Sequence, residues 1–149
     1  MKEKYMRVAL NEAKKAYEKE EVPIGVIIVK DNKIVARAHN IKESTNNPCG
    51  HAEILAIQKA CKKLNDWRLE DCEMYVTLEP CMMCAGAIIQ SRIKKIYIGA
   101  LDTKTGAVVS KLKGFDDFIF NHKVEYEIGI LSDECSQILK DFFKELRNR

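Results

Sequence analysis

Two short motifs rich in metal-binding side chains constrain this chain most: His-Ala-Glu at 51–53 and Pro-Cys-Met-Met-Cys at 80–84. Cys81 and Cys84 are three residues apart, so on a helix both side chains lie on one face and reach one ion. Proline is tolerated in the first turn of a helix, where no amide hydrogen bond is lost, so Pro80 indicates the entrance of that helix. A thiol at a helix N-terminus is close to the positive end of the helix dipole, which favours the thiolate that zinc requires.

The spacing of His51 and Glu53 adds a second geometric condition. Residues two apart on a regular helix point roughly 200° away from each other, so these two side chains share a site only at a helix entrance approached end-on. The loop-forming stretch 46–50 followed by a helix over Ala52–Leu64 supplies such an entrance. The sequence therefore predicts two helix N-termini that face one another with an ion between them.

The number of ligands indicates the chemistry. His51, Cys81 and Cys84 supply three donors and leave the fourth tetrahedral position to water, as in catalytic zinc sites. Zinc makes that water acidic enough to react near neutral pH, and Glu53 is then free to carry protons. This predicts hydrolytic deamination of an amidine-like carbon such as those of adenine or cytosine. The alternatives are a redox pair or a structural zinc site, and the structural site needs a fourth donor such as Cys49.

Composition excludes several other classes of protein. The chain has 149 residues and a mass of 17.1 kDa, so we expect one domain over residues 1–149. Its 46% hydrophobic and 32% charged residues are typical of a globular protein. No apolar run is long enough to span a membrane and the N-terminus has no signal-peptide core, which predicts a cytoplasmic protein with reduced cysteines. A net charge of +3 permits a nucleic-acid partner without requiring one.

Hydrophobic patterning predicts an α/β chain with one mixed sheet. The strand–helix–strand unit around the cysteine motif implies parallel neighbouring strands, so we expect a five-stranded mixed sheet with helices on both faces. In the second helix, the apolar stripe expected to face the core is Ile54, Ile57, Cys61 and Leu64. The expected helices are 2–20, Ala52–Leu64, Cys81–Gln90 and one capped by Ser132, and the expected strands are 24–29, 34–39, 72–78, 96–100 and 124–128.

Motifs along nearly the whole chain resemble one known family. The combined pattern H-x-E…P-C-x-x-C resembles the signature of the zinc nucleobase deaminases. The chain is similar to the cytidine-deaminase-like superfamily and, within it, to the bacterial tRNA-specific adenosine deaminases. The segments that carry this resemblance are 21–25, 51–54, 78–87, 91–93, 104–106, 121–124 and 142–147.

The resemblance implies a three-layer α/β/α fold and hydrolysis of the wobble adenosine of a tRNA anticodon stem-loop to inosine. It also implies a homodimer with one Zn²⁺ per chain. Among the site residues, it implies that Asn40 contacts the flipped-out base and that Ile24 lines its pocket. Asn121 and Phe143 match positions near the anticodon nucleotides. From the residues alone, Asn40 is equally well interpreted as a turn residue.

Two departures from the family pattern keep other functions open. Residues 49–50 are Cys-Gly where the family usually has Thr-Ala, and residues 109–113 differ from its usual Gly-Ser-Leu-Met stretch. Lys111 and Lys113 in that segment are candidates for phosphate contacts, although surface lysines are more often simply solvated. The alternatives are a deaminase of a free base or nucleoside that uses the same zinc site, and a zinc-stabilised RNA-binding fold without activity.

Overall fold

The computed structural model describes residues 1–117 and 120–149. In this part of the chain the five strands form one sheet in the order β2-β1-β3-β4-β5. The elements are α1 Lys2–Glu18, β1 Gly25–Lys30, β2 Lys33–His39, α2 Ala52–Leu64, β3 Cys72–Leu78, α3 Met82–Gln90, β4 Lys95–Ala100, β5 Glu125–Ile128 and α4 Ser132–Arg147. The predicted mixed sheet is confirmed, since β1 pairs antiparallel with β2 and β3 while β3, β4 and β5 run parallel.

Helices cover both faces of the sheet because β1 is apolar on both sides. Val26 and Ile28 point to one face and Ile27 and Val29 to the other, since successive side chains of a strand alternate. The first pair packs in a core with residues of α2 and α3, and the second pair packs with α1 and α4. This arrangement confirms the predicted three-layer α/β/α fold.

Strand directions explain how the two motifs meet. β2 and β3 are both antiparallel to β1, so they run in the same direction and end at the same edge of the sheet. The chain leaves β2 towards α2 and leaves β3 towards α3. The N-termini of α2 and α3 therefore lie together beyond that edge.

The buried face of α2 differs from the predicted one. Its fully buried apolar residues are Ala52, Ala56 and Ala60, whereas the predicted stripe at Ile54, Ile57, Cys61 and Leu64 is only partly buried. Small side chains allow the helix axis to approach the sheet closely. The larger residues consequently pack at the flanks of the helix.

Two helix ends also differ from the expectations. α1 ends at Glu18 instead of residue 20, because the backbone has turned to a positive φ of 63° by Glu20. Ser132 is the first residue of α4 rather than its cap, because Leu131 occupies the cap position and no side chain caps the helix. None of the helices in the described ranges is both long enough and apolar enough to cross a membrane.

Candidate active site

Three metal-binding donors converge where α2 and α3 begin. His51 is the N-cap of α2 in an extended conformation, and Cys81 is the N-cap of α3 with Cys84 in the first turn. The three ligand atoms lie within 4.8 Å of one another. His51 Nδ1 is 3.7 Å from Cys81 Sγ and 3.5 Å from Cys84 Sγ. Pro80 lies one residue before the cap, so it precedes α3 instead of starting its first turn.

The donor separations fit a tetrahedral metal ion. Zinc bonds of roughly 2.0 Å to nitrogen and 2.3 Å to sulfur place tetrahedral donors about 3.5 to 3.8 Å apart. The observed nitrogen–sulfur distances fall in this range. Cys49 is exposed and is not part of the donor group found among the described residues. The group therefore offers three protein ligands and no fourth, the number typical of a catalytic metal site.

The two thiols of the group are not equivalent. A hydrogen bond from Cys84 lowers the pKa of Cys81 to about 5, and the same bond together with burial raises the pKa of Cys84. Cys81 is thus the thiolate of the pair near neutral pH. Metal ligation requires deprotonated sulfur, so an ion that binds both sulfurs must also displace the proton of Cys84.

Glu53 lies in the first turn of α2 and contributes a buried carboxyl group. Its side chain is 3% exposed, and Oε1 has no hydrogen-bond partner within the described residues. Burial raises the pKa of Glu53 to about 7, and the carboxyl group also interacts with Cys84 of the donor group. A buried acceptor left unpaired costs about 1–3 kcal/mol, and its presence beside a metal-binding group points to a role with a ligand.

Asn40 and Ile24 lie together beside the first turn of α2. The Asn40 side chain is 6% exposed, and its Oδ1 accepts a 2.8 Å hydrogen bond from the Ala52 backbone N–H. The Asn40 backbone N–H bonds to the Ile24 carbonyl at 3.3 Å. Ile24 is partly buried against the core. Asn40 thus ties the end of β2 to the start of α2, next to Glu53.

The other two predicted site residues lie on other elements of the fold. Asn121 is exposed in the segment before β5, and Phe143 is 41% exposed on α4 with its ring edge-on to Phe142 at 5.4 Å. Among the described residues, neither Asn121 nor Phe143 forms a hydrogen bond with the donor group. The neighbouring His122 donates a hydrogen bond from Nε2 to the Ile93 carbonyl at 2.7 Å.

Sequence reasoning missed Glu79, a buried carboxylate one residue before Pro80. Burial alone would raise its pKa, but hydrogen bonds from Ser110 and from backbone amides lower the pKa of Glu79 below its usual value. Its partners lie 23 to 31 positions further along the chain, at 102 and at 108–110. No local pattern around residue 79 encodes such distant contacts.

The fold and the site define a class of protein before any relative is considered. Two facing helix N-termini on a mixed sheet, with one imidazole, two thiols and a buried carboxyl group, are the parts of a metal-dependent nucleobase deaminase. A family model of the MafB19-like deaminases matches residues 1–147. The chain belongs to this deaminase family.

Within this family, the chain is highly similar to tRNA-specific adenosine deaminases. The chain is 52% identical over 147 residues to the tRNA-specific adenosine deaminase of Aquifex aeolicus, a match covering 99% of this chain and 97% of the relative. It is 48% identical over 147 residues to the tRNA-specific adenosine deaminase of Bacillus subtilis, covering 99% and 91%.

Solved structures agree with the fold. A structure from work on A-to-I editing by tRNA:A34 deaminases at the wobble position of transfer RNA has a TM-score of 0.88 and 42% identity, covering 91% of this chain and 99% of that one. A guanine deaminase from Nitrosomonas europaea has a TM-score of 0.82 over 94% of this chain and 83% of that one. Its identity is 20%, so this second likeness concerns the fold alone.

Proposed function

We propose that this protein converts the wobble adenosine of a tRNA anticodon loop to inosine by hydrolytic deamination. One observation carries the proposal: the buried Oε1 of Glu53, unpaired among the described residues, lies beside a three-donor metal group in a chain 52% identical to a tRNA-specific adenosine deaminase. In the reaction, water adds to C6 of the adenine ring and ammonia leaves. A tRNA substrate is consistent with a cytoplasmic enzyme built as one domain over residues 1–149.

His51, Cys81 and Cys84 hold one Zn²⁺ per chain in this proposal. When bound there, the ion supplies Lewis-acid chemistry that makes a water molecule reactive near neutral pH. The Cys81 thiolate and the neutral imidazole of His51 are the forms that ligate zinc. These three side chains supply three protein ligands, and their position at the starts of α2 and α3 keeps the ion next to Glu53.

Glu53 moves the protons of the reaction. Its Oε1, which has no partner in the described ranges, accepts one proton from the attacking water and delivers it to the ring nitrogen. The carboxylate then takes the second proton, that of the hydroxyl group now on C6, and gives it to the leaving amine, which departs as ammonia. A carboxyl group is suited to both steps, because the same oxygen accepts a proton as carboxylate and returns it as carboxylic acid. Burial excludes bulk water from this exchange.

Asn40 and Ile24 form the base pocket. Because Asn40 Oδ1 is already occupied by the Ala52 N–H, the amide NH₂ is the part left to donate to the flipped-out base. Ile24 gives the base an apolar wall. Asn121 and Phe143 contact the neighbouring nucleotides of the loop, where an exposed amide and an exposed aromatic ring suit unstacked bases.

A second copy of the chain covers the outer face of α3. This face, made of Met82, Met83 and Gly86, carries no charged residue, although Met82 is 70% exposed and Met83 37%. No atom of the described residues lies within 4 Å of the position that a Cβ would take at Gly86, so another backbone has room to approach. Exposed apolar patches of this kind mark interfaces, and the face adjoins the donor group through Cys81. We therefore expect a homodimer.

The test is deamination of RNA beside a panel of small substrates. Purified protein is incubated with a tRNA anticodon stem-loop that contains a wobble adenosine, and inosine is detected by nucleoside analysis. Free adenine, guanine, cytosine and their nucleosides are assayed for ammonia release in parallel. Inosine at the wobble position supports the proposal, whereas turnover of a free base without any RNA product favours the small-molecule deaminase.

A further inference from the structure

Glu79 is the most heavily hydrogen-bonded carboxylate in the described part of the chain. It follows β3 and is 2% exposed. Its Oε1 accepts hydrogen bonds from the Asp102 N–H at 3.0 Å and from Ser110 Oγ at 2.5 Å. Its Oε2 accepts from three successive amides, those of Val108, Val109 and Ser110, at 3.0, 2.9 and 3.0 Å. One carboxylate thus receives five hydrogen bonds from a single loop.

This loop, residues 102–110, is shaped around the carboxylate. A Cβ at Gly106 would lie 2.3 Å from Glu79 Cδ and Oε1, so the close approach requires glycine. The Ala107 N–H bonds to the Pro80 carbonyl at 2.9 Å, which fastens the loop to the residue directly before the metal-binding Cys81. Consecutive amides directed at one negative charge form an anion-binding concavity, which here is filled by a side chain of the protein itself.

The loop and the residues that follow it carry exposed lysines. Gly106, Ala107 and Val108 are buried against the domain, whereas Lys104 and the adjoining Lys111 and Lys113 are exposed. Lys104 is in the loop that Glu79 and Pro80 fasten next to the donor group, and the Lys111 N–H bonds to the Gly106 carbonyl of that loop at 2.8 Å. Lysine ammonium groups held near a site that binds RNA are placed to contact the phosphates of the RNA.

We propose that Glu79 is a positioning residue that holds this loop so that Lys111 and Lys113 contact the phosphates of the RNA. The inference rests on the proposed RNA substrate and deepens it. Glu79 takes no part in the chemistry, and its negative charge acts by gathering five donors into one loop conformation. The expected signature is a change in RNA affinity with unchanged turnover.

A carboxylate is required because each of these five partners of Glu79 is a donor. In a Glu79→Gln variant one oxygen is replaced by NH₂, which is a hydrogen-bond donor. Whichever way the amide is turned, this NH₂ faces at least one backbone N–H, which is also a donor. Leaving that buried donor unpaired loosens the loop, while the shape of the side chain is kept. Ser110→Ala is the milder variant, since it removes only the hydroxyl donor at 2.5 Å.

The experiment measures steady-state deamination of an anticodon stem-loop RNA by the zinc-loaded protein. For Glu79→Gln we expect KM to rise about tenfold and kcat to stay within about twofold, the pattern of lost binding energy shared by ground and transition states. Zinc content is expected to stay at the wild-type value. The slope of log KM against log salt is expected to fall by about 0.7 for each phosphate that a lysine no longer neutralises.

The matched control is Glu21→Gln. Glu21 is also a buried carboxylate, 1% exposed, that accepts N–H groups from a loop, those of Glu43 and Ser44 at 2.9 and 2.6 Å. If loss of a loop anchor acted only through stability, both variants would raise KM and lower stability alike. We expect a changed KM and salt slope for Glu79→Gln alone.

A double-mutant cycle shows whether Glu79 acts by positioning Lys111 and Lys113 or lowers RNA affinity independently of them. Replacing Lys111 and Lys113 by Ala is expected to raise KM in the wild-type background and to add little in the Glu79→Gln background, because the lysines are then already displaced. Additive effects, or a kcat that falls with KM constant, overturn the inference. Ser110→Ala carries the same test if Glu79→Gln does not fold. Failure of the wild-type protein to form inosine would instead refute the proposed function.

Discussion

At the scale of single residues, the properties of the site come from burial. Glu53 has an oxygen unpaired within the described ranges and a pKa raised to about 7 because α2 places it under the donor group rather than in solvent. Cys81 and Cys84 have opposite pKa shifts because one thiol donates to the other. The same residue types on an open surface would have their ordinary acidities.

The role of Glu53 is tested by Glu53→Ala. We expect wobble deamination to fall about 10²-fold or more, because the proton carrier is removed, while zinc binding is retained because the three ligands remain. Single-turnover kinetics and metal analysis of the purified variant provide the measurement. Unchanged activity would indicate the alternative in which the domain only binds RNA, and loss of zinc would show that Glu53 acts through the metal ligands.

At the scale of elements, close packing on the sheet places the helices that carry the site. α2 presents Ala52, Ala56 and Ala60 to the core, and α1 approaches β1 closely at Gly25. A Cβ at Gly25 would lie 1.9 Å from the Ala9 carbonyl oxygen, a distance that requires the helix to move. The spacing between helix and sheet thus depends on small residues.

Gly25→Ala and Gly86→Ala form a matched pair that tests this packing. Gly25→Ala is expected to lower the free energy of unfolding by about 1–3 kcal/mol or more, the usual cost of overpacking a core. Gly86→Ala, with open space around its Cβ within one chain and a position inside α3, is expected to be neutral or stabilising, by up to about 1 kcal/mol, when both variants are measured at concentrations where the chain is monomeric. Urea denaturation of both variants measures the difference, and equal destabilisation would contradict the account of Gly25.

The loop before His51 has a pH-dependent anchor in Glu21. Burial would raise the pKa of Glu21, but the hydrogen bonds from the Glu43 and Ser44 amides lower it below its usual value. Since the folded-state pKa is below the unfolded one, the stabilisation is complete above the unfolded pKa of about 4.3 and is lost as the pH falls through the folded pKa.

The difference in unfolding free energy between wild type and Glu21→Gln is therefore expected to depend on pH in a definite direction. The difference in unfolding free energy should be largest above about pH 5 and should shrink as the solution is acidified below about pH 4. Denaturation by urea over a pH series measures it. A difference that stays constant with pH would mean that the hydrogen bonds, and not the charge of Glu21, carry the stabilisation.

At the scale of the whole molecule, the outer face of α3 links assembly to the site. Met82 and Met83 lie between Cys81 and Cys84 of the donor group in the chain, so a partner seated on them also covers the surroundings of that group. The loop held by Glu79 is fastened next to the same donor group through the Pro80 carbonyl. Assembly and RNA binding are therefore expected to affect each other.

Met82→Lys tests the proposed homodimer. A charge buried in an apolar interface without a partner is strongly unfavourable, so the variant is expected to be monomeric at concentrations where the wild type is dimeric. Sedimentation equilibrium provides the measurement, with Lys63→Glu on the exposed end of α2 as a control for a charge change. A wild-type protein that sediments as a monomer would refute the dimer directly.

The sequence by itself determined the donor set, the class of chemistry and the mixed sheet. These follow from local spacing, because two thiols at i and i+3 and an imidazole at a helix entrance have few geometries open to them. The alternation and length of the apolar runs similarly predicted which segments form strands and helices. His51, Cys81 and Cys84 were thus identified without reference to distant contacts, and the structure brings their donor atoms together.

Only the tertiary structure decided how the supporting residues act. Glu79 has five partners at distant positions, α2 faces the sheet with alanines rather than its larger apolar residues, and Ser132 begins α4 without capping it. Each outcome depends on which surfaces meet when the layers pack, and that information is spread over segments far apart in the chain. Local propensity does not encode such contacts, so packing determines them.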